Sequence, residues 1–194
     1  MTWHTVAWKN VAPVAWRNGG GLTRELVAWP QAQDWVWRVS VADVEQNGPF
    51  SSYPGVERWF AVLSGAGVKL TIQETLQHWE LGATSPPVRF DGAHAVACEL
   101  VHGATQDFNV MVQKNAASAT LQRLTGSFQT TLASDTVVGI CSYGFEAVVR
   151  SATLGKSAQL ELLPHHFAWQ KLTAGSDIAI ECKDVLYLEI ALCP

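Results

Sequence analysis

The sequence predicts an all-β chain, a sandwich or barrel assembled from many short strands. Three observations carry that prediction. Apolar and polar residues alternate with a period of two almost throughout. Glycine and proline interrupt the runs at close spacing. No segment keeps a 3.6-residue apolar stripe over three turns, so nothing reads as an amphipathic helix.

The clearest strand is 35–42. One parity there is Trp35, Trp37, Val39 and Val41; the other is Val36, Arg38, Ser40 and Ala42. One face is apolar and the other carries an arginine and a serine, because successive side chains point to opposite sides of a strand. Similar runs follow at 68–72, 76–81, 94–101 and 108–112. They continue at 137–143, 147–150, 159–163, 167–171, 178–182 and 186–192. Turn signals lie between them at Gly48-Pro49, Pro54-Gly55, Gly65-Ala66-Gly67, Pro86-Pro87, Gly126, Gly144 and Gly175. Regular short strands with such turns indicate a sandwich or barrel. The small, polar stretch 114–120 reads as a linker, dividing the chain into halves at 1–113 and 120–194 that together make one compact unit.

Composition narrows the function classes. The 194 residues are 48% hydrophobic but only 15% charged, with 9 Trp and 2 Met. An average globular domain has roughly 25% charged residues. Mean hydropathy is +0.08, and no stretch approaches the roughly 20 apolar residues of a spanning helix. Thirteen basic against 17 acidic residues give a net charge of −4, which speaks against a nucleic-acid binder. No basic region followed by an apolar run opens the chain, so no signal peptide is expected and the location is read as cytoplasmic. Cys98, Cys141, Cys182 and Cys193 form no CxxC pair; free, buried thiols in a reducing compartment are expected.

The chemistry-bearing residues are few. The six histidines include no His-x-His pair, which would put two imidazoles on one strand face, and no metal or other cofactor is expected. No GxSxG elbow is present. Gly19-Gly20-Gly21 fits neither GxGxxG nor a P-loop, and reads as a tight turn or bulge. Polar residues set among apolar ones remain: Arg38 between tryptophans, Arg58 beside Trp59-Phe60-Ala61-Val62-Leu63, and Asn109 between Phe108 and Val110. A buried guanidinium needs a partner. That partner is either internal (Arg38 with Glu25, Arg58 near Glu57) or an anionic guest, whose carboxylate matches the guanidinium fork.

Four blocks then resemble one family. Trp16-Arg17-Asn18-Gly19-Gly20-Gly21 with Thr23-Arg24-Glu25 is similar to the opening signature of the HutD/Ves family. So are residues 37–42, residues 48–58, and a fourth block from Phe90-Asp91-Gly92 to Asn109-Val110-Met111. The blocks occur in the family's order and end at Met111; the C-terminal half follows it in length and strand pattern. The resemblance implies a bicupin, two cupin-like β-barrel (jelly-roll) halves in one chain, without the metal-binding histidines of many cupins. It also implies a regulator, or governor, of bacterial histidine utilisation that binds an anionic intermediate such as N-formyl-L-glutamate or urocanate.

On that reading the ligand-binding residues are Arg58 as carboxylate clamp and Arg38 as second cation or support. Asn18, Thr23, Ser51 and Asn109 would serve the amide or the remaining carboxylate oxygens. Trp37 and Phe50 are expected as walls or core, and Glu25 as the holder of an arginine. The main partner is then a small anionic metabolite, with neither nucleic acid nor membrane involved. Exposed tryptophans and a free sheet edge would favour a homodimer. The rival reading is a metal-independent cupin enzyme, an isomerase or hydrolase, with Glu25 as general base. A third is an interaction module docking a regulator through its aromatic surface.

Overall fold

The computed structural model describes residues 2–193. Among them there is no α-helix; one 3-10 turn, Trp8–Asn10, follows the first strand, β1 (His4–Ala7). Among the described residues no helix is long and apolar enough to cross a membrane. The chain is a bicupin of two compact units, one formed by Val11–Ala116 and the other by Met1–Asn10 with Ala117–Pro194.

The first unit holds two sheets. Its larger sheet contains β2 (Val14–Ala15), β3 (Gly21–Trp29), β4 (Trp37–Val44), β6 (Val56–Ser64), β9 (Val88–Asp91) and β11 (Thr105–Gln113), in the order β2-β3-β4-β11-β6-β9. Its smaller sheet is β5 (Gly48–Pro49), β7 (Val68–Ile72), β8 (His78–Leu81) and β10 (Val96–Leu100), in the order β5-β10-β7-β8. The apolar interior comes from both: Val44, Phe60, Val62 and Phe90 of the larger, and Val68, Leu70, Ile72, Leu81, Val96 and Cys98 of the smaller.

The second unit is one seven-stranded sheet. It contains β1, β12 (Ala117–Thr131), β13 (Thr136–Ser142), β14 (Ala147–Thr153), β15 (Lys156–Leu162), β16 (His166–Leu172) and β17 (Asp177–Leu192). Strand β17 pairs with β12, β13 and β14, and its core is apolar, including Ile140, Val149, Ile180 and Tyr187.

Three features differ from the sequence reading. The stretch 114–120 is a short turn that passes at Ala117 into β12, because alternate residues Ala117, Ala119 and Leu121 are buried against a long partner strand. The runs 178–182 and 186–192 are parts of the single strand β17. Residues 1–10, grouped by sequence with the N-terminal half, go with the other unit, since β1 pairs antiparallel with β16 from His4↔Trp169 to Ala7↔His166. Of the four free cysteines, Cys98 and Cys141 are buried, Cys182 is half-buried and Cys193 is exposed.

The glycine triplet closes the β2–β3 hairpin and opens no helix. Gly19 has φ +69°, and a Cβ on Gly21 would stand 2.3 Å from the Asp43 carbonyl oxygen on β4. Backbone has to move to admit even a methyl group. Gly21→Ala is therefore expected to cost about 1–3 kcal/mol, read as a lowered urea midpoint. A control, Gly144→Ala, meets nothing within 4 Å and should stay within about 0.5 kcal/mol.

Candidate functional site

Antiparallel register places the polar residues of four strands on one face of the larger sheet. Cross-strand neighbours point the same way, so pairing alone defines three rows. The first is Phe90, Arg58, Met111 and Arg38. The second is Phe60, Asn109, Ser40 and Glu25. The third is Val62, Asp107, Ala42 and Thr23. Two bulges interrupt the register of this sheet, Leu26 being the extra residue on β3 and Leu63, opposite Gln106/Asp107, the extra residue on β6. Bulges re-aim side chains and recur beside functional sites.

This face floors a cavity of about 890 Å³. Small-molecule clefts span roughly 300–1,000 Å³. All six residues singled out from sequence line it: Asn18, Thr23, Arg38, Ser51, Arg58 and Asn109. Phe50 forms wall; Trp37, 1% exposed, is core and absent from the lining. Sequence reasoning missed Asp107 and Tyr53 as lining residues. A signal for Asp107 was present, since two residues along a strand from Asn109 is the same face.

The two arginines have different situations. Arg38 Nε lies 2.7 Å from Glu25 Oε2, the internal pair the sequence allowed. Arg58 has no such carboxylate. Glu57, its chain neighbour, points to the other face and accepts from Trp59 Nε1 (3.1 Å) and Arg89 (3.3 Å). Only 5% of Arg58 is exposed. It donates to Asn109 Oδ1 at 3.0 Å and to the Ser51 carbonyl at 3.3 Å, while its buried Nε has no partner. Around it stand Phe50 and Phe90, with ring centroids 5.2 Å from Cζ, and Tyr53 at 5.9 Å. Aromatic faces attract a cation but do not neutralise it. Burial lowers Arg58 to about 10, which still leaves it cationic at neutral pH.

The mouth of the cavity is tied to this floor through neighbours. Trp16 Nε1 donates to Thr23 Oγ1 at 2.7 Å, and Trp16 meets Phe50 edge to face. Asn18 Oδ1 accepts from the Gly20 amide at 3.1 Å, fixing the turn. Deeper in, Asn109 Nδ2 donates to Asp107, whose side chain is wholly buried. Burial pushes Asp107 well above the usual carboxylate range.

The donor set does not fit a metal centre. No histidine or cysteine lines the cavity, Glu25 is held by Arg38 and Asp107 accepts from Asn109. Among the described residues, no three His, Cys, Asp or Glu side chains gather as candidate ligands. The arrangement is suited to holding an anion against a buried, uncompensated guanidinium.

Comparison with known proteins adds the following. The HutD family model matches residues 8–188. Protein Ves of Escherichia fergusonii is 34% identical over 117 residues, 59% of this chain and 60% of that protein. An "uncharacterized 21.2 kDa protein in hutC 3'region" of Pseudomonas putida is 32% identical over 131 residues, 63% of this chain. The alignment spans 65% of that protein's length. The structure of HutD from Pseudomonas fluorescens SBW25, from a formate condition, superposes with TM-score 0.84 at 27% identity over the whole of both chains. Oxalate decarboxylase of Bacillus subtilis shares the fold alone, with TM-score 0.66 and 8% identity over 96% of this chain and 76% of that one.

Proposed function

The chain belongs to the HutD family, and from that premise we propose that it is a cytoplasmic regulator of histidine utilisation that binds an anionic intermediate of that pathway. N-formyl-L-glutamate and urocanate are the named candidates. The observation that carries this reading is Arg58: a buried cation without a carboxylate partner, ringed by three aromatic side chains, at the floor of a cavity of ligand size. A protein gains nothing in stability from burying such a charge unpaired, so an external anion supplies its counter-charge.

The neighbours fill the remaining roles. Arg38, compensated by Glu25, serves as a polar wall and a support. Asn18, Thr23, Ser51 and Asn109 offer amide and hydroxyl groups to the rest of the ligand. The genomic label on the Pseudomonas putida relative supports the pathway. Catalysis by Glu25 as a free base gains no support, since its carboxylate is already held at 2.7 Å.

Calorimetric titration of the full chain with N-formyl-L-glutamate and with urocanate tests the proposal. Saturable binding of one of them, without turnover, is the expected result. Absence of binding by both would remove the ligand assignment, and conversion of either would favour the enzyme reading.

A further inference from the structure

Asp107 lines the same cavity as Arg58, two residues from Asn109 on β11. Its side chain is wholly buried. One oxygen accepts from Asn109 Nδ2, while Oδ2 is buried without any hydrogen-bond partner. An ionised carboxylate so placed would lack the donors that usually compensate it. Its link to the nearest cation is indirect: Arg58 donates to Asn109 Oδ1, and Asn109 donates to Asp107.

We infer that Asp107 is the charge-selecting residue of the cavity: protonated, it leaves Arg58 to hold an anion, and ionised, it takes that anion's place as counter-charge. The inference rests on the anion-binding reading above and specifies how that site is regulated. The proton balance is simple. Binding of an anion to the form with ionised Asp107 takes one proton from solvent onto the carboxyl, and its release returns that proton.

Each group facing Asp107 fits this assignment. On β6, Arg58 is the cation for which both negative charges compete. On β4, Asp43 opposes ionisation of Asp107; its own charge is already met by Arg24 at 2.5 Å and by Gln106 at 2.7 Å. Arg38 and Glu25 form a closed pair and leave no spare charge. Tyr53, in the segment before β6, faces Arg58 with its ring centroid 5.9 Å from Cζ. The Cys98 thiol of β10 is neutral near pH 7, since burial, with a lesser push from Asp107, raises it to about 12. The cavity thus has one buried cation outside an ion pair, Arg58, and two contenders for it; Arg17, which also lines the cavity, is exposed.

The test is titration calorimetry of the wild type and Asp107→Asn with N-formyl-L-glutamate, from about pH 5 to about pH 9, in buffers of differing ionisation enthalpy. The wild type is expected to lose up to about tenfold in affinity per pH unit above the carboxyl's transition, with uptake of about one proton. Asp107→Asn is expected to lose that slope and that uptake. A carbon-13 titration of the wild-type carboxyl, needing no variant for the ligand-free state, should show Asp107 holding its proton near neutral pH. A flat wild-type profile, or a variant that keeps the slope, overturns the inference and leaves the anion site standing. Absence of binding at every pH overturns both.

Discussion

Arg58→Met is expected to abolish or cripple anion binding while leaving the fold at least as stable as the wild type. Binding and stability change in opposite senses because the guanidinium is buried without a carboxylate. Loss of a charge-assisted hydrogen-bonded contact costs about 1.5–3 kcal/mol, or roughly 10- to 150-fold in dissociation constant. Methionine fills the space among Phe50, Tyr53 and Phe90 without a charge to desolvate, and replacing buried charge by packed apolar groups is neutral or stabilising by about 1–4 kcal/mol. Part of that gain is offset, since Asn109 Oδ1 loses its donor. Calorimetry and urea unfolding on the same sample read both effects. A variant that is destabilised yet binds normally would show that Arg58 serves the fold instead.

Phe60→Ala is expected to have the largest effect on stability. Phe60 is fully buried in the apolar interior of the first unit and lies 5.7 Å, centroid to centroid, from Phe50. Truncation of a buried phenylalanine costs about 3–5 kcal/mol, combining lost transfer energy with the cavity left behind. Total stabilities are about 5–15 kcal/mol, so the variant should sit near the edge of folding. The readout is the urea midpoint, with the 75%-exposed Leu76→Ala as a control within about 0.5 kcal/mol. Because Phe50 leans on Phe60 and covers Arg58, ligand affinity should fall in parallel.

How much of this was legible in the sequence depends on the range over which each feature is encoded. The strand at Val68–Ile72 is local: alternation and the two glycines just before it, Gly65 and Gly67, determine it, and its observed limits match the sequence run. Arg58 was legible for a similar reason, as a charge intruding on an apolar run. Strand β12 was not, because Ala, Ser and Thr carry little apolar signal and the pairing that makes it a strand is with β17, far along the chain. The attachment of β1 to β16 is likewise invisible locally. Both faces of β4 and β11 are largely buried, which blurs the alternation that would have set Asp107 beside Asn109 and Arg58. The Arg38–Glu25 pair was foreseen as one alternative; geometry alone could choose it over an external anion for that arginine.

The placement of β1 has a consequence for the order in which the ribosome delivers this chain. Val11–Ala116 is continuous, so every strand of the first unit, and every residue lining the cavity, has emerged before β12 begins. Strand β1 leaves the tunnel first but finds its partner only when β16 appears, beyond residue 165. Domains form largely as units during synthesis. The cavity is therefore completed early, while β1 waits, unpaired, through the synthesis of every strand up to β16.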